Sequence, residues 1–198
     1  MTKRNSALIV FVRNPELGKV KTRIAAAVGE VLALEIYLQM LDHTFQTIEQ
    51  VDADTYLYVS HHLNDFADQN FKQSMQAEGN LGHKMYSAFC DLQDQYQKMV
   101  LIGSDCPYIT QDLLNKAFTK LEEHDIVLGP STDGGYYLIA MKQATAQVFE
   151  NISWSTELVL EQTILQIQTL NFTYHLLEPL TDIDYYQDWH NYLDFKNS

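Results

Sequence analysis

Apolar and polar residues alternate along the chain in blocks that predict strands followed by helices. Near-continuous apolar runs rich in β-branched residues are typical of parallel strands covered on both faces. Such runs occur at "SALIVFVR" (6–13), "TYLYVS" (55–60), "KMVLIGSD" (98–105) and "DIVLGP" (125–130). Shorter runs at "YYLIAM" (136–141) and "FTYHLL" (172–177) predict two more strands.

Apolar residues spaced three and four positions apart predict the helices. These helices span 22–50, 81–96, 110–124 and 155–170. The last part of "DIDYYQDWHNYLDF" (182–195) predicts a final helix, whereas residues 61–80 are polar and predicted to be irregular.

The alternation of strands with helices predicts an α/β fold with a mainly parallel sheet and helices on both faces. The hairpin-like segment 125–141 turns at "DGG" and adds an antiparallel element, so the sheet is expected to be mixed. A chain of 198 residues is long enough for one domain with a sizeable core and short for two. We therefore expect one α/β domain over residues 1–198.

Ligands of open α/β sheets bind beyond the carboxyl ends of the strands. Three polar loops follow predicted strands, namely "RNPELGKVKTR" (13–23), "SDCP" (104–107) and "STDGG" (131–135). A fourth polar segment, "DID" (182–184), precedes the last helix. The most charged loops are therefore expected at one edge of the sheet.

Charge is distributed unevenly along the chain. The formal net charge is −13, yet the first 23 residues carry six Lys or Arg residues against one acid, Glu16. A surface this negative repels nucleic acid and anionic lipid, so neither is an expected partner. A local basic loop can still bind one small phosphorylated ligand. Two cysteines without a secretory signal favour reduced thiols and a cytoplasmic protein.

The basic loop is the first candidate site. Gly18 allows close approach of the backbone, and the following helix presents its positive N-terminal end to an anion. Lys19, Lys21 and Arg23, together with Arg13, supply positive charge for phosphates, although the spacing is not that of a Walker A loop. Positive charge opposes the helix dipole here, which indicates a bound anion. The alternative is a solvated basic loop.

Aspartates follow the strands at the same predicted edge. Asp105 suits Mg²⁺ or Mn²⁺, which bind one or two carboxylates together with phosphate oxygens, but it is also a candidate turn residue. Asp133 is a candidate catalytic group within a strong tight-turn signal. Asp182 and Asp184, with Asp105, form a candidate two-point metal clamp. The alternatives are an acidic surface patch or capping of the last helix.

Two other residues attract a functional interpretation. Cys106 has no neighbouring His or base to activate it, so a packed thiol is favoured over a nucleophile. Trp154 is interpreted as a core anchor before a helix cap at Ser155 or Thr156, with the floor of an acceptor pocket as the alternative.

The ordered motifs resemble the nucleotide-diphospho-sugar transferase superfamily, which has the glycosyltransferase-A-like fold. Within it they are most similar to an uncharacterised bacterial family known as selenodomain-associated transferase 1, also described as glycosyltransferases. The motifs that carry this resemblance are "NPELGKVKTR" (14–23), "QAEGNLGHKM" (76–85), "LIGSDCP" (101–107), "LGPSTDGGYYLI" (128–139), "WST" (154–156) and "DIDYYQDW" (182–189). Each motif is weak alone, and the set spans nearly the whole chain.

The resemblance implies roles for individual residues. Superfamily relatives include molybdenum-cofactor nucleotidyltransferases and phospholactate guanylyltransferases, whose basic loop grips the nucleotide phosphates. That role would fall here to Lys19, Lys21 and Arg23, while Asp105 and Asp184, with Asp182 as the second choice, would hold the metal. Segments matching Gln76, Gly79 and Gly82 lie near the base in such relatives.

The chain also departs from the family pattern. Asn80 and Lys84 stand where the pattern favours Asp and Arg, which leaves the base or one phosphate contact open. "SDCP" has one acid where many glycosyltransferases have a D-x-D pair.

Three functions follow from these observations. The first is metal-dependent nucleotidyl transfer from a nucleoside triphosphate to a small phosphorylated acceptor, with Lys21, Arg23 and Asp105 as catalytic residues. Asp133 is the other candidate catalytic residue, and it would act as a base for the acceptor or orient it in glycosyl transfer. The second is glycosyl transfer from a nucleotide-sugar, and the third is a nucleotide-binding module without catalysis. The oligomeric state is not predicted.

Overall fold

A computed structural model describes residues 4–61 and 71–197. Its elements, in chain order, are β1 (Arg4–Val12), α1 (Thr22–Val28), α2 (Glu30–Ile48), β2 (Asp54–Val59), β3 (Lys72–Met75), α3 (Leu81–Leu92), β4 (Tyr96–Gly103), α4 (Gln111–Glu123), β5 (Ile126–Pro130), β6 (Tyr136–Met141), α5 (Val159–Thr169), β7 (Tyr174–Leu176) and α6 (Tyr186–Asn197).

The described strands form one seven-stranded sheet in the order β3-β2-β1-β4-β6-β5-β7. All neighbouring pairs are parallel except those of β6, which runs antiparallel to both β4 and β5. The carboxyl ends of β1 to β5 therefore meet at one edge, together with the start of β6. This arrangement confirms the predicted α/β fold with its mainly parallel, mixed sheet and places the charged loops together.

Helices cover both faces of the sheet, as the alternation of β1 shows. Leu8, Val10 and Val12 pack into the core on the side of α2 and α4, whereas Ala7 and Ile9 pack on the side of α3 and α5. All five are fully buried, which explains why the strand reads as a continuous apolar run rather than an alternating one.

Three predicted helices differ from those observed. The helix expected over 81–96 ends at Leu92, and Tyr96 already belongs to β4. The helix expected over 22–50 is divided at Gly29, whose φ of 88° lies outside the helical region, because glycine adopts such a conformation without steric cost. The helix expected from residue 155 begins at Val159, and Ser155 has a positive φ of 65° in the preceding turn.

The polar segment 61–80 contains an edge strand that periodicity did not predict. β3 pairs only with β2 among the described strands, and its residues are exposed or half-buried, so it lacks the apolar pattern of a buried strand. Part of the segment, 62–70, lies outside the described residues.

The chain after β7 returns along the carboxyl edge of the sheet. Backbone hydrogen bonds tie Leu177 to Leu128, Leu180 to Pro130, and the Ile183 amide to the Asp105 carbonyl at 2.9 Å. This path brings Asp182 and Asp184 to the end of β4. No helix among the described residues is long and apolar enough to cross a membrane. The cytoplasmic location and the assignment of all of 1–198 to one domain stay predictions.

Candidate active site

The carboxyl edge of the sheet carries two adjoining cavities, of about 590 Å³ and about 240 Å³. The larger has a volume typical of small-molecule sites. Of the predicted site residues, the larger cavity is lined by Arg13, Lys19, Gln76 and Asp105. The smaller is lined by Arg13, Lys21, Arg23, Asp105 and Asp184, so Arg13 and Asp105 border both.

Lys21 connects three segments of the chain at this edge. Its side chain is only 6% exposed, and its Nζ lies 2.5 Å from Asp105 Oδ1 and donates to the Ile183 carbonyl at 2.7 Å. Lys21 is also the N-cap residue of α1 and has left-handed backbone angles, with φ 47°. A non-glycine residue held there indicates that the surrounding contacts determine its conformation.

The other two cations predicted to bind phosphates are also paired. Arg23 Nη1 lies 2.5 Å from Asp184 Oδ2, and Lys19 Nζ lies 2.5 Å from Glu16 Oε2. Both pairs are largely exposed, so each adds little to stability and is open to exchange with a ligand.

Two cations that border the larger cavity have no acidic partner in the part of the chain that the structure describes. Within residues 4–61 and 71–197, neither the Arg13 guanidinium nor the Lys84 ammonium forms an ion pair. Both residues line the cavity. In the sequence, Lys84 stands where the family pattern favours Arg. The structure places this basic residue at the wall of the larger cavity.

Asp182 is a half-buried acid at the same edge. It lines the larger cavity. Burial, followed by the negative charges of Asp105 and Asp133, raises the pKa of the Asp182 carboxyl to about 7. Its Oδ1 atom is buried and has no hydrogen-bond partner among the described residues. A buried carboxylate oxygen without a donor is a suitable ligand for a cation.

Three acids at this edge, Asp105, Asp182 and Asp184, are the candidates for holding a divalent cation together with phosphate. No group of three His, Cys, Asp or Glu side chains in the described ranges is arranged to hold a metal alone. Asp105 with Asp182 or Asp184 would supply one or two hard oxygen ligands, which is the usual protein contribution to Mg²⁺ bound with substrate phosphates. The metal assignment of Asp105 and Asp184 stays a prediction.

Asp133 lies in the loop between β5 and β6 and lines neither of these cavities. Its Oδ1 accepts a hydrogen bond from the Gly135 amide at 2.9 Å, which closes an Asx turn. The next residue, Gly134, has φ 92°, and a Cβ there would lie 2.2 Å from the Glu157 carbonyl oxygen. The structure thus shows a turn contact for Asp133, and its catalytic role stays a prediction.

The three predicted ligand-contacting glycines lie outside both cavities. Gly18 has φ 75° and packs against the Glu30 carboxylate, and Gly79 has φ 108° beside His83. Gly82 lies under the Trp154 indole, where a Cβ would be 2.5 Å from Cζ2. These positions show backbone or packing requirements, and contact with a nucleotide stays a prediction.

Sequence reasoning did not single out the polar wall beside Gln76. Asn14 is buried, and its Oδ1 accepts hydrogen bonds from Ser60 Oγ at 3.0 Å and from the His61 amide at 2.9 Å. Tyr37, from α2, exchanges 3.0 Å hydrogen bonds with the backbone of Arg13. No local sequence signal identifies these residues, because their partners are between 24 and 47 positions away.

Cys106 and Trp154 have the packing environments that the sequence favoured. Cys106 is 5% exposed, and burial followed by the charge of Asp182 raises the pKa of its thiol far above its usual value. Neither cysteine is in a disulfide. Trp154 packs with the core cluster of α3 and α5.

The fold is that of the nucleotide-diphospho-sugar transferases. A crystal structure described as a putative nucleotide-diphospho-sugar transferase from Desulfovibrio desulfuricans G20 superposes with a TM-score of 0.85 and 29% identity, covering 91% of this chain and 82% of that one. The inositol-1-phosphate CTP transferase from T. maritima matches with TM-score 0.60 and 14% identity, over 92% and 90% of the two chains. A Mycobacterium tuberculosis H37Rv protein in complex with manganese matches with TM-score 0.53 and 12% identity over 100% of both.

The chain belongs to the family described as "Uncharacterized protein conserved in bacteria (DUF2064)", whose model matches residues 40–156. That range includes β4, Asp105 and the β5–β6 turn. No curated protein matches the chain. These matches confirm the prediction that the chain belongs to an uncharacterised bacterial family with the nucleotide-diphospho-sugar transferase fold.

Proposed function

We propose that this protein is a metal-dependent transferase that moves a nucleotidyl group from a nucleoside triphosphate to a small phosphorylated acceptor. It is an enzyme of the transferase class. The observation that carries the proposal is one cavity of about 590 Å³. It is bordered by the carboxylates of Asp105 and Asp182 and by two cations, Arg13 and Lys84, that have no acidic partner within residues 4–61 and 71–197.

The cations determine where the phosphates bind. Among the described residues, Arg13 and Lys84 form no ion pair that a phosphate would have to break, and Lys19, paired with Glu16, lines the same cavity. Positive groups held in place before the reaction stabilise charge that develops on the α-phosphate and on the leaving group. Arg23 can join them by exchanging Asp184 for phosphate, whereas Lys21 is held by Asp105 and the Ile183 carbonyl.

The transfer itself needs no covalent enzyme intermediate. A phosphate oxygen of the acceptor attacks the α-phosphorus, the bond from that phosphorus to the bridging oxygen of the β-phosphate breaks, and pyrophosphate leaves with the electron pair. The chain holds the two phosphorylated groups together in the cavity, and this positioning contributes most of the rate increase.

Asp105, with Asp184 or Asp182, would hold Mg²⁺ or Mn²⁺ at the carboxyl edge. When bound, such an ion supplies charge neutralisation on the phosphate oxygens. Two observations support this assignment: Asp182 Oδ1 has no hydrogen-bond partner among the residues that the structure describes, and Asp105 borders both cavities.

The test is a binding and turnover measurement with a matched control. Asp105→Asn should abolish the metal-dependent thermal stabilisation by a nucleoside triphosphate and the release of pyrophosphate in the presence of phosphorylated acceptors. Asp52→Asn, an exposed acid at the opposite edge just before β2, should leave both unchanged. A ligand present at 100 times its dissociation constant stabilises the wild type by about 2.7 kcal/mol. The absence of any shift with all triphosphates would contradict the proposal.

Glycosyl transfer from a nucleotide-sugar is the second candidate. It is favoured by the likeness to the Desulfovibrio desulfuricans G20 protein at 29% identity. The same cations would then stabilise a departing nucleoside diphosphate. Thermal stabilisation by nucleotide-sugars but not by triphosphates, with release of a nucleoside diphosphate, would support this function over nucleotidyl transfer.

A further inference from the structure

One carboxylate oxygen holds the turn that carries Asp184. Asp188 lies in the first turn of α6, and its Oδ2 accepts hydrogen bonds from the Tyr185 amide at 2.7 Å and from the Asp184 amide at 3.1 Å. In return, the Asp188 amide donates to the Tyr185 carbonyl at 3.0 Å. An acid that reaches back from the first turn in this way satisfies amides that precede a helix, as in a capping box. The backbone of Asp184 and Tyr185 is therefore tied to α6 by hydrogen bonds in both directions.

The helix that carries Asp188 is itself anchored in the core. Trp189 is 7% exposed and Ile183 is fully buried, and both pack in one cluster with Ile24 of α1. Asp188 is half-buried and lines neither of the two cavities. An effect of Asp188 on a ligand in these cavities must therefore pass through the residues that it holds.

Both residues of the turn contact Arg23. Asp184 Oδ2 lies 2.5 Å from Arg23 Nη1, and Arg23 Cζ lies 5.7 Å from the centroid of the Tyr185 ring, which is within the range of a cation–π contact. Asp184 and Arg23 border the smaller cavity. Their side chains are 41% and 61% exposed, so burial alone does not fix them. The turn therefore determines where this carboxylate and this guanidinium meet.

We propose that Asp188 is a positioning residue, which holds the Asp184–Tyr185 backbone so that the Asp184 carboxylate stays at the smaller cavity for a divalent cation and Arg23 stays there for phosphate. This inference rests on the proposed function, since it concerns the cation and the phosphates of that reaction. Groups that orient a metal ligand typically contribute about 10- to 100-fold to metal affinity. Because Tyr185 contacts Arg23 independently of Asp184, the guanidinium keeps one contact when its ion pair is exchanged for phosphate.

Positioning requires a hydrogen-bond acceptor at residue 188 and no negative charge. Both amides bond to the same oxygen, Oδ2, so a neutral carbonyl oxygen can replace it. Asp188→Asn supplies such an oxygen on a side chain of the same shape, whereas Asp188→Ala removes the acceptor. Asp194→Ala, which removes an exposed acid later in α6, is the matched control. These variants separate positioning from a direct effect of the Asp188 charge on the cation.

The test titrates Mn²⁺ into the full chain at a fixed concentration of CTP, ATP, GTP or UTP and follows the melting temperature. The readout is the Mn²⁺ concentration that gives half of the maximal thermal stabilisation. Asp188→Ala should raise this concentration about tenfold or more, whereas Asp188→Asn and Asp194→Ala should stay within about threefold of the wild type. Loss of a helix cap alone lowers the melting temperature of the free protein and leaves the half-maximal Mn²⁺ concentration unchanged.

A second measurement uses the wild-type protein without nucleotide or metal. Amide hydrogen exchange, followed by nuclear magnetic resonance, reports whether the Asp184 and Tyr185 amides are bonded before any ligand arrives. We expect both amides to be protected in the free wild type and in Asp188→Asn. Both should exchange faster in Asp188→Ala.

The outcomes separate the inference from the proposed function. An unchanged half-maximal Mn²⁺ concentration in Asp188→Ala, or a rise in Asp188→Asn as large as that in Asp188→Ala, would overturn the positioning role and leave the proposed function in place. Unprotected amides in the free wild type would overturn it even if Asp188→Ala did not fold. If none of the four nucleotides stabilises the wild type at any Mn²⁺ concentration, the proposed function fails and the inference fails with it.

Discussion

Replacing Lys21 by methionine removes an ammonium group that connects three segments of the chain while retaining most of its apolar stem. In the wild type the ammonium contacts the Asp105 carboxylate and the Ile183 carbonyl, and the side chain is 6% exposed. The substitution leaves both acceptors without this donor. We therefore expect a loss of folding stability, in addition to any effect on ligand binding.

The magnitude follows from the two lost contacts. Both hydrogen bonds come from the charged ammonium, and a hydrogen bond that involves a charged group contributes about 1.5–3 kcal/mol. The Asp105 side chain is 47% exposed and regains water, so the contribution of that contact is reduced. We expect a total loss of about 2 kcal/mol, which lowers the melting temperature of a domain of this size by roughly 4–8 °C.

The assay is urea or thermal unfolding without ligand, with Lys19→Met as the matched control. Lys19 lies in the same loop, but its side chain is 63% exposed and its ion pair is local, so a change within about 0.5 kcal/mol is expected. Lys21→Gly should be more stable than Lys21→Ala, because the φ of 47° costs a residue with a Cβ about 1 kcal/mol. Equal stability of Lys21→Met and Lys19→Met would refute this reasoning.

Three further substitutions have expected outcomes. Gly82→Ala should lower stability by about 1–3 kcal/mol and shift Trp154 fluorescence, since the new Cβ would lie 2.5 Å from the indole. Lys84→Met should weaken triphosphate binding about tenfold in calorimetry without altering the melting temperature. Hydrogen bonds from the Thr173 hydroxyl and amide hold the pKa of Asp125 below its ordinary value of 3.8. The stability that the Asp125 carboxylate contributes is therefore complete above pH 3.8 and is lost as the pH falls through the lower pKa of the folded state. Asp125→Ala should therefore lose less stability than wild type on acidification, and an identical loss in urea titrations would contradict this.

Hydrophobic periodicity predicted the strands whose residues are buried on both faces. β1 and β4 lie between two helical layers, so every residue of their central parts is apolar and the strands are visible in sequence. β3 is an edge strand with exposed residues and has no such pattern. The division at Gly29 was also missed, because apolar spacing continues across the break from α1 to α2.

The sequence by itself determined the α/β class, the order of the motifs and the meeting of charged loops at one edge, because parallel strands end together. Only the tertiary structure decided which charges are available to a ligand. Lys21, Arg23 and Lys19 look equivalent in sequence, yet each is paired with an acid, two of them with acids that are distant in the chain. Arg13 and Lys84 line the larger cavity without such partners within the described residues. Pairing depends on distances across the fold, set by the return of the chain after β7, and no local pattern encodes it.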